Sequence, residues 1–190
     1  MGEIQAGSDL REVAESTQAH VRAFLSTVTE VASGAAPGAE LPLLLLATSD
    51  LVAAGAHLAA ITDVVPAERF EPDAGPDTDV DPLRDALSHM FDGFDDYVEV
   101  VDPVLGADTG PATLSGDLAC VVEELAKGLA HYDDGHELEA LWWWQFSYLS
   151  SWGERAASAL RVLTAVLAHL RLDVDDDVAQ EAEYDALHAS

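Results

Sequence analysis

The chain has very few basic residues and one cysteine. Its 190 residues carry 8 Lys and Arg against 36 Asp and Glu, for a formal charge of −28. A protein that binds nucleic acid directly needs Lys and Arg to displace counterions from phosphates, so we expect neither direct nucleic-acid binding nor binding to anionic membranes. Cys120 is alone, which excludes a scaffold held by internal disulfides. With no signal-peptide pattern at the N-terminus, we expect a cytoplasmic protein.

One apolar stretch, Leu41 to Ile61, is long enough to be mistaken for a membrane span. Asp50 lies near its middle, where a carboxylate in hydrocarbon is costly. Its flanks, Glu40 and Asp63, are acidic rather than basic. We therefore predict a helix at the centre of a soluble bundle, apolar on nearly all sides.

Apolar residues recur at helical spacing along most of the chain, and no strand pattern competes with them. The sequence predicts an all-α fold, an antiparallel bundle of five to six helices with a long Trp-rich C-terminal helix. Residues 1–171 are predicted to form this single domain, and residues 172–190 an acidic tail with a short helix. The predicted helices are Asp9 to Ala32, Leu41 to Ile61, Asp81 to Val101, Ser115 to Tyr132 and Glu137 to Arg171.

The connection between the fourth and fifth predicted helices carries small and aromatic residues at regular spacing. The run from Gly128 to Ala140, with Gly135 at the turn, looks like one tetratricopeptide unit. The pattern does not recur upstream or downstream, and a solenoid needs about three stacked units. We therefore predict a tetratricopeptide-like helical hairpin rather than a repeat array.

The fifth predicted helix contains four tryptophans, and aromatic residues at helical spacing most often form a core. Gln145 projects onto the core side, so its amide would need a buried partner. Trp143 projects to the opposite side, near Arg161, and an exposed Trp beside an Arg is typical of an interface hot spot. The candidate interaction residues are therefore Trp143, Trp144, Trp152 and Arg161.

This helix also carries a family resemblance. The run Trp144-x-Phe146-Ser147, followed by Trp152-Gly153 and by Ala159-Leu160-Arg161, resembles the C-terminal signature of a family of uncharacterised bacterial domains. The likeness is strongest over residues 115–171. It implies an all-helical fold and carries no assigned activity.

Asp50 and His57 are the strongly polar side chains of the second predicted helix. A buried carboxylate needs a partner, and Arg155 or Arg161 of the fifth helix could supply it. We expect a buried Asp50–Arg contact that fixes the register of the two helices. A structural contact is favoured over a catalytic site.

Acidic residues and a histidine follow one stripe of the third predicted helix, as a helical metal site would require. The apolar face of that helix lies almost opposite, so a solvated acidic face is the favoured interpretation. The candidate ligands are Asp85, His89, Asp92 and Asp96.

The sequence favours a non-enzymatic protein-interaction module, an adaptor or regulator without a cofactor. In a sharper form of this hypothesis, the acidic surface imitates nucleic-acid phosphate and binds a basic protein. The alternative is a divalent-metal-dependent helical hydrolase that uses carboxylates on helices two and three. Enzymes of that type usually repeat ExxE or ExxH pairs on several helices. This sequence has no ExxH pair, and its two ExxE pairs, Glu12–Glu15 and Glu68–Glu71, lie outside predicted helices two and three.

Overall fold

The computed structural model describes residues 2–60, 64–66, 78–102 and 104–172, with side chains from Leu10 onward. The elements are α1 (Gly2–Ala32), α2 (Glu40–Ala60), α3 (Asp81–Met90), β1 (Asp96–Val100), β2 (Thr109–Thr113), α4 (Leu114–Asp133), α5 (Glu137–Ser147), a π-helical turn (Tyr148–Trp152) and α6 (Gly153–Leu172). The predicted helical fold is confirmed. The acidic tail, with its predicted short helix, lies outside the described residues.

The core forms where α1, α2, α4, α5 and α6 meet. The helix α1 contributes a stripe at helical spacing that includes Val21, Phe24, Val28 and Val31, all buried. The largest buried side chains, Trp144 and Trp152, come from α5 and the π turn. Burial of such large apolar surfaces is the main favourable contribution to the stability of this fold.

The helix α2 is buried on one face only, not at the centre of the bundle as predicted. Its length and composition would allow it to cross a membrane, a test that core helices of soluble proteins also pass. Here it packs against α1 and α6. Its buried positions recur every three or four residues: Leu44, Thr48, Leu51, Gly55 and Leu58. The opposite face is rich in alanine, which made the whole helix look apolar in sequence.

The long C-terminal helix is present, with one irregular turn. Residues 148–152 form a π turn that joins α5 to α6, directly before Gly153. Gly55 of α2 lies against Tyr148 and Trp152, where an added Cβ would come within 2.5 Å of both rings. The irregular turn therefore coincides with the close approach of α2.

The third predicted helix is too long, and the prediction of no strands is wrong. The helix α3 ends at Met90, and residues 96–100 pair with residues 109–113 in an antiparallel hairpin. Gly93 adopts a φ of +89° within the turn that separates them. Side chains other than glycine avoid this left-handed region, so Asp92-Gly93 ends the helix. The β-branched residues of Tyr97 to Val101 then favour a strand.

The helices α4 and α5 form the predicted helical hairpin. The connection holds Gly135 at a φ of +85°, and the His136 N–H donates to the carbonyl of His131. Arg22 of α1 pairs with Asp133 at the end of α4. The likeness of this hairpin to a tetratricopeptide unit stays a prediction.

Candidate functional site

The β-hairpin is fastened to the helical bundle at the start of α4. The Ser115 backbone N–H and hydroxyl donate to the two carboxylate oxygens of Asp95, at 2.8 and 2.7 Å. The Leu114 N–H donates to the Asp95 carbonyl at 2.9 Å. Asp95 thus satisfies donors at the N-terminus of α4, where a negative charge is also favourable. The hairpin is held in a defined position against the bundle.

Asp117 of α4 lies beneath the hairpin and is only 1% exposed. Its carboxylate accepts hydrogen bonds from the Tyr97 hydroxyl of β1 and from Arg155 of α6, the latter at 2.8 Å. Burial raises the pKa of Asp117, while the bonds from Tyr97 and Arg155 act in the opposite direction. Burial and the Asp117 carboxylate raise the pKa of Tyr97. This network joins strand, α4 and α6.

Sequence reasoning missed Asp117 and the role of Tyr97. Tyr97 falls within the predicted helix Asp81 to Val101, whereas α3 ends at Met90 and Tyr97 lies on β1. Asp117 looked like an ordinary acid in the first turn of a helix, where acids are common. The available signal was the Asp92-Gly93 pair, a strong turn signal, followed by β-branched residues.

A cleft of about 530 Å³ opens between the hairpin and the bundle. Asp117 and Arg155 lie at its base, with Cys120 beside them. The Cys120 Sγ is 3.8 Å from the Ser151 hydroxyl. The Arg155 guanidinium is already engaged by Asp117, so the cleft is lined by paired charges and acidic residues of the hairpin.

The outer surface of the hairpin is apolar and exposed. Val98 is 66% exposed on the outer face of β1, and Leu105 is 86% exposed at the tip. Val100, Val101 and Val104 are also exposed. Exposed apolar groups gathered in one part of a protein commonly mark an interaction site. We call this surface, formed by Val98, Val100, Val101, Val104 and Leu105, the hairpin surface.

The chain segment that includes the hairpin surface is strongly acidic. The segment 79–108 contains nine Asp and Glu residues and a single basic residue, Arg84. Arg84 pairs with Asp81 at 2.6 Å. Asp92, Asp96 and Asp108 are exposed. The exposed apolar residues therefore lie in a segment with a large excess of negative charge.

Most of the tryptophan side chains pack within the protein. Trp144 and Trp152 are fully buried, so the prediction that they contact a partner is wrong. Trp143 is half-buried rather than exposed: its indole N–H donates to the Glu124 carbonyl at 2.9 Å, and the Lys127 ammonium lies 4.0 Å from its ring centroid. Packing of α5 against α4 accounts for Trp143 and Trp144, whereas Trp152, in the π turn, lies against Gly55 of α2.

An exposed apolar stripe on α5 replaces the predicted tryptophan surface. Phe146 is 51% exposed and stacks on Trp142, with ring centroids 5.4 Å apart. Leu149 is exposed on the same side, one turn further along. Arg161 lies elsewhere, with its guanidinium 5.5 Å from the Tyr97 ring centroid. The structure therefore does not bring Arg161 together with Trp143.

The predicted buried contact of Asp50 is wrong. Asp50 and His57 are exposed, because they lie opposite the buried stripe of α2, and with Glu12 and His20 they line a cleft of about 470 Å³. Arg155 is partly exposed and pairs with Asp117 instead.

Gln145 is buried, and both ends of its amide have partners. It accepts from the Val64 N–H at 2.8 Å and donates to the Leu58 carbonyl at 3.0 Å. The carbonyl of Leu58 lies in the last turn of α2. Gln145 therefore links the end of α2 and the backbone of Val64 to α5.

The predicted metal stripe on helix three is also wrong. Asp85 and His89 lie on α3, but Asp92 lies in the following turn and Asp96 on β1, so the four do not share a helical face. The His89 Nδ1 is 2.9 Å from the Asp85 carbonyl. Among the residues that the structure describes, no cluster of three or more His, Cys, Asp or Glu is arranged to hold a metal ion.

The fold and these surfaces define a mostly helical domain with a protruding acidic hairpin. The chain belongs to the family described as "Domain of unknown function (DUF5063)", which matches residues 8–169. A crystal structure of protein BF1032 from Bacteroides fragilis is similar at 20% identity and a TM-score of 0.48, over 83% of this chain and 89% of that chain. No curated protein matches the chain.

Proposed function

We propose that this protein is a non-enzymatic interaction module, an adaptor or regulator, that binds a basic protein through its hairpin surface. The carrying observation is the exposed apolar hairpin within the acidic segment 79–108, in which Asp92, Asp96 and Asp108 are exposed. An apolar centre with a polar rim is the usual anatomy of a protein–protein interface. Charge of one sign around that centre selects a partner of the opposite sign and accelerates the encounter.

The excess of acidic charge needs basic groups from outside the chain, because most basic side chains that the structure describes already interact with a carboxylate or an aromatic ring. Four arginines form ion pairs with carboxylates, and Lys127 and Arg161 lie over aromatic rings. The ion-paired arginines are Arg11, Arg22, Arg84 and Arg155. A basic partner would supply the countercharge that the chain itself does not.

The sharper form of the proposal is that the acidic residues next to the hairpin surface imitate nucleic-acid phosphate and occupy the phosphate-binding residues of a basic partner. Lys and Arg that normally meet phosphates can meet closely spaced carboxylates in the same way. Competition tests this form: a DNA duplex or RNA hairpin added to the complex should release the partner. The proposal includes a cytoplasmic location, which the single half-buried Cys120 supports.

The test is capture from native lysate with three baits: wild type, a hairpin triple variant and a matched control. The hairpin variant is Asp92→Asn, Asp96→Asn and Asp108→Asn, all exposed. The control is Glu12→Gln, Glu15→Gln and Glu30→Gln on α1, also exposed, with the same change in net charge. Bound proteins are eluted with a salt ramp and quantified by mass spectrometry.

We expect the wild type and the α1 variant to retain the same basic protein and the hairpin variant to lose most of it. Elution should occur as salt approaches several tenths molar, where the Debye length falls to a few ångströms. Equal loss from both variants would mean that only the overall charge matters, and would contradict the proposed surface.

A further inference from the structure

Along the edge of β1 that faces away from β2, backbone N–H and C=O groups point outward. The Val101 N–H donates to the Asp108 carbonyl, and the Leu114 N–H donates to the Asp95 carbonyl. In an antiparallel pair, hydrogen-bonded positions alternate with positions whose backbone groups point away from the partner strand. The register Val98↔Pro111 and Val100↔Thr109 therefore turns the N–H and C=O of Val98 and Val100 outward.

The two edges of the hairpin differ. On β2, Pro111 occupies an outward-facing position. Because proline has no N–H, this edge lacks a hydrogen-bond donor that a further strand would need. On β1, no backbone hydrogen bond from the described residues reaches the outward N–H groups of Val98 or Val100. Open strand edges readily receive another extended chain.

The side chains on the two faces of β1 determine which side chains a third strand would need. The outer face presents Val98 and Val100, both exposed, while Tyr97 and Glu99 alternate with them on the inner face. A strand beside β1 would place alternate side chains next to the valines and next to Glu99. Cross-strand apolar pairs and opposite-charge pairs are the favourable combinations.

We propose that the outer edge of β1 receives an extended basic segment of the partner protein as a third strand. Its apolar side chains would lie beside Val98 and Val100, and its Lys or Arg side chains beside Glu99 and the surrounding acids. A second copy of this chain is disfavoured as the occupant, because it would bring another nine acids to the same edge. The inference rests on the proposed function and names the mode of binding.

The probe is a synthetic ten-residue peptide of alternating Lys and Val, capped at both ends, with binding measured by fluorescence anisotropy. The edge variant is Val98→Pro, which removes an outward N–H without removing a bond to β2 and without changing charge. The matched control is Val98→Thr, which keeps the N–H and the β-branched shape. Unfolding curves establish that each variant is folded.

We expect Val98→Pro to weaken peptide binding about tenfold or more, and Val98→Thr to change it by less than about threefold. In the wild type, the peptide should slow hydrogen exchange at the Val98 and Val100 amides, a readout that holds even if Val98→Pro fails to fold. Equal binding to both variants, or no slowing at these amides, would overturn the edge proposal.

Two further outcomes separate this inference from the proposed function. If Val98→Pro binds the peptide normally while the hairpin acid variant loses it, the acidic surface stands and the strand pairing fails. If the hairpin acid variant still binds the peptide, the acidic residues are not needed for binding, and the proposed function fails. Sedimentation of the chain without peptide tests whether a second copy occupies the edge. If the wild type is a dimer and Val98→Pro is a monomer, the edge of β1 pairs with a second copy of the chain, and the proposal is overturned.

Discussion

At the scale of single residues, buried polar side chains join elements that are far apart in sequence: Gln145 joins α5 to the end of α2, and Asp117 joins α4 to β1 and α6. Projection of the C-terminal helix placed Gln145 on the core side, and the structure buries it with two backbone partners. The same projection placed Trp143 at the surface, but a neighbouring helix covers part of it. Helical periodicity assigns a face, whereas burial depends on which element packs there, and that is set by tertiary contacts far apart in sequence.

Asp117 gives a pH prediction. Its pKa is raised in the folded chain, so its contribution to the free energy of unfolding is present below its unfolded pKa of about 4 and is lost as pH rises through the raised value. Asp117→Asn removes this titration. Urea unfolding at a series of pH values should show wild type losing stability relative to the variant as pH rises above about 4.

Asp96→Asn is the control for the Asp117 experiment, because Asp96 is exposed. Because the Asp117 network is intact in this variant, it should still lose stability relative to Asp117→Asn as pH rises. If wild type instead gains stability relative to Asp117→Asn as pH rises, the hydrogen bonds from Tyr97 and Arg155 outweigh the cost of burial, and the assigned direction is wrong.

Gly55 gives a packing prediction. A Cβ at this position would meet the Trp152 and Tyr148 rings. Gly55→Ala should lower the free energy of unfolding by at least about 1 kcal/mol, although alanine favours a helix by about 0.5–1 kcal/mol. Gly106→Ala, with no atom within 4 Å of the added Cβ, should change it by less than about 0.5 kcal/mol. A stabilised Gly55→Ala would show that the helices do not approach this closely.

At the scale of elements, the long regular helices were predictable and the hairpin was not. The boundaries of α2 and α4 differ from the predicted ones by about one residue because apolar periodicity and turn residues agree there. In the third segment, apolar residues continue at helical spacing past Gly93: Leu83, Leu87, Met90, Phe94 and Tyr97. The φ of Gly93 ends the helix despite that period. A two-stranded pair also depends on residues 109–113, whose composition, with Gly110 and Pro111, does not look like a strand.

The contact between α2 and α5 depends on Gln145. Gln145→Met keeps a similar volume but leaves the Leu58 carbonyl and the Val64 N–H without their side-chain partner. We expect a loss of about 1–3 kcal/mol in unfolding free energy and faster hydrogen exchange at Val64. Gln18→Met on α1, a half-buried position, is the matched control and should cost less than about 0.5 kcal/mol. Unchanged exchange at Val64 would contradict the assigned role.

At the scale of the whole molecule, the charge of −28 dominates. Like charges repel across a compact surface and lower stability, and salt screens that repulsion. The thermal midpoint should therefore rise when sodium chloride increases from about 0.05 to about 0.5 M, where the Debye length shortens severalfold. A midpoint that falls would mean that the ion pairs at Asp81, Asp117, Asp133 and Glu137 outweigh the repulsion.

The same charge explains why function was harder to predict than fold. Composition identified the acidity, but not where it lies relative to exposed apolar groups. The hairpin surface became visible only once α3 was seen to end at Met90, which moved Val98 and Val100 from a helix to an exposed strand. The exposed stripe at Phe146 and Leu149 is the competing surface for a partner.

The most direct measurement is hydrogen exchange of the full chain with its captured basic partner bound, compared with the free chain. We expect protection to be greatest over residues 96–105 and to include the Val98 and Val100 amides. Protection centred on residues 142–149 instead, with the hairpin amides unchanged, would contradict it and assign the interface to the aromatic stripe of α5.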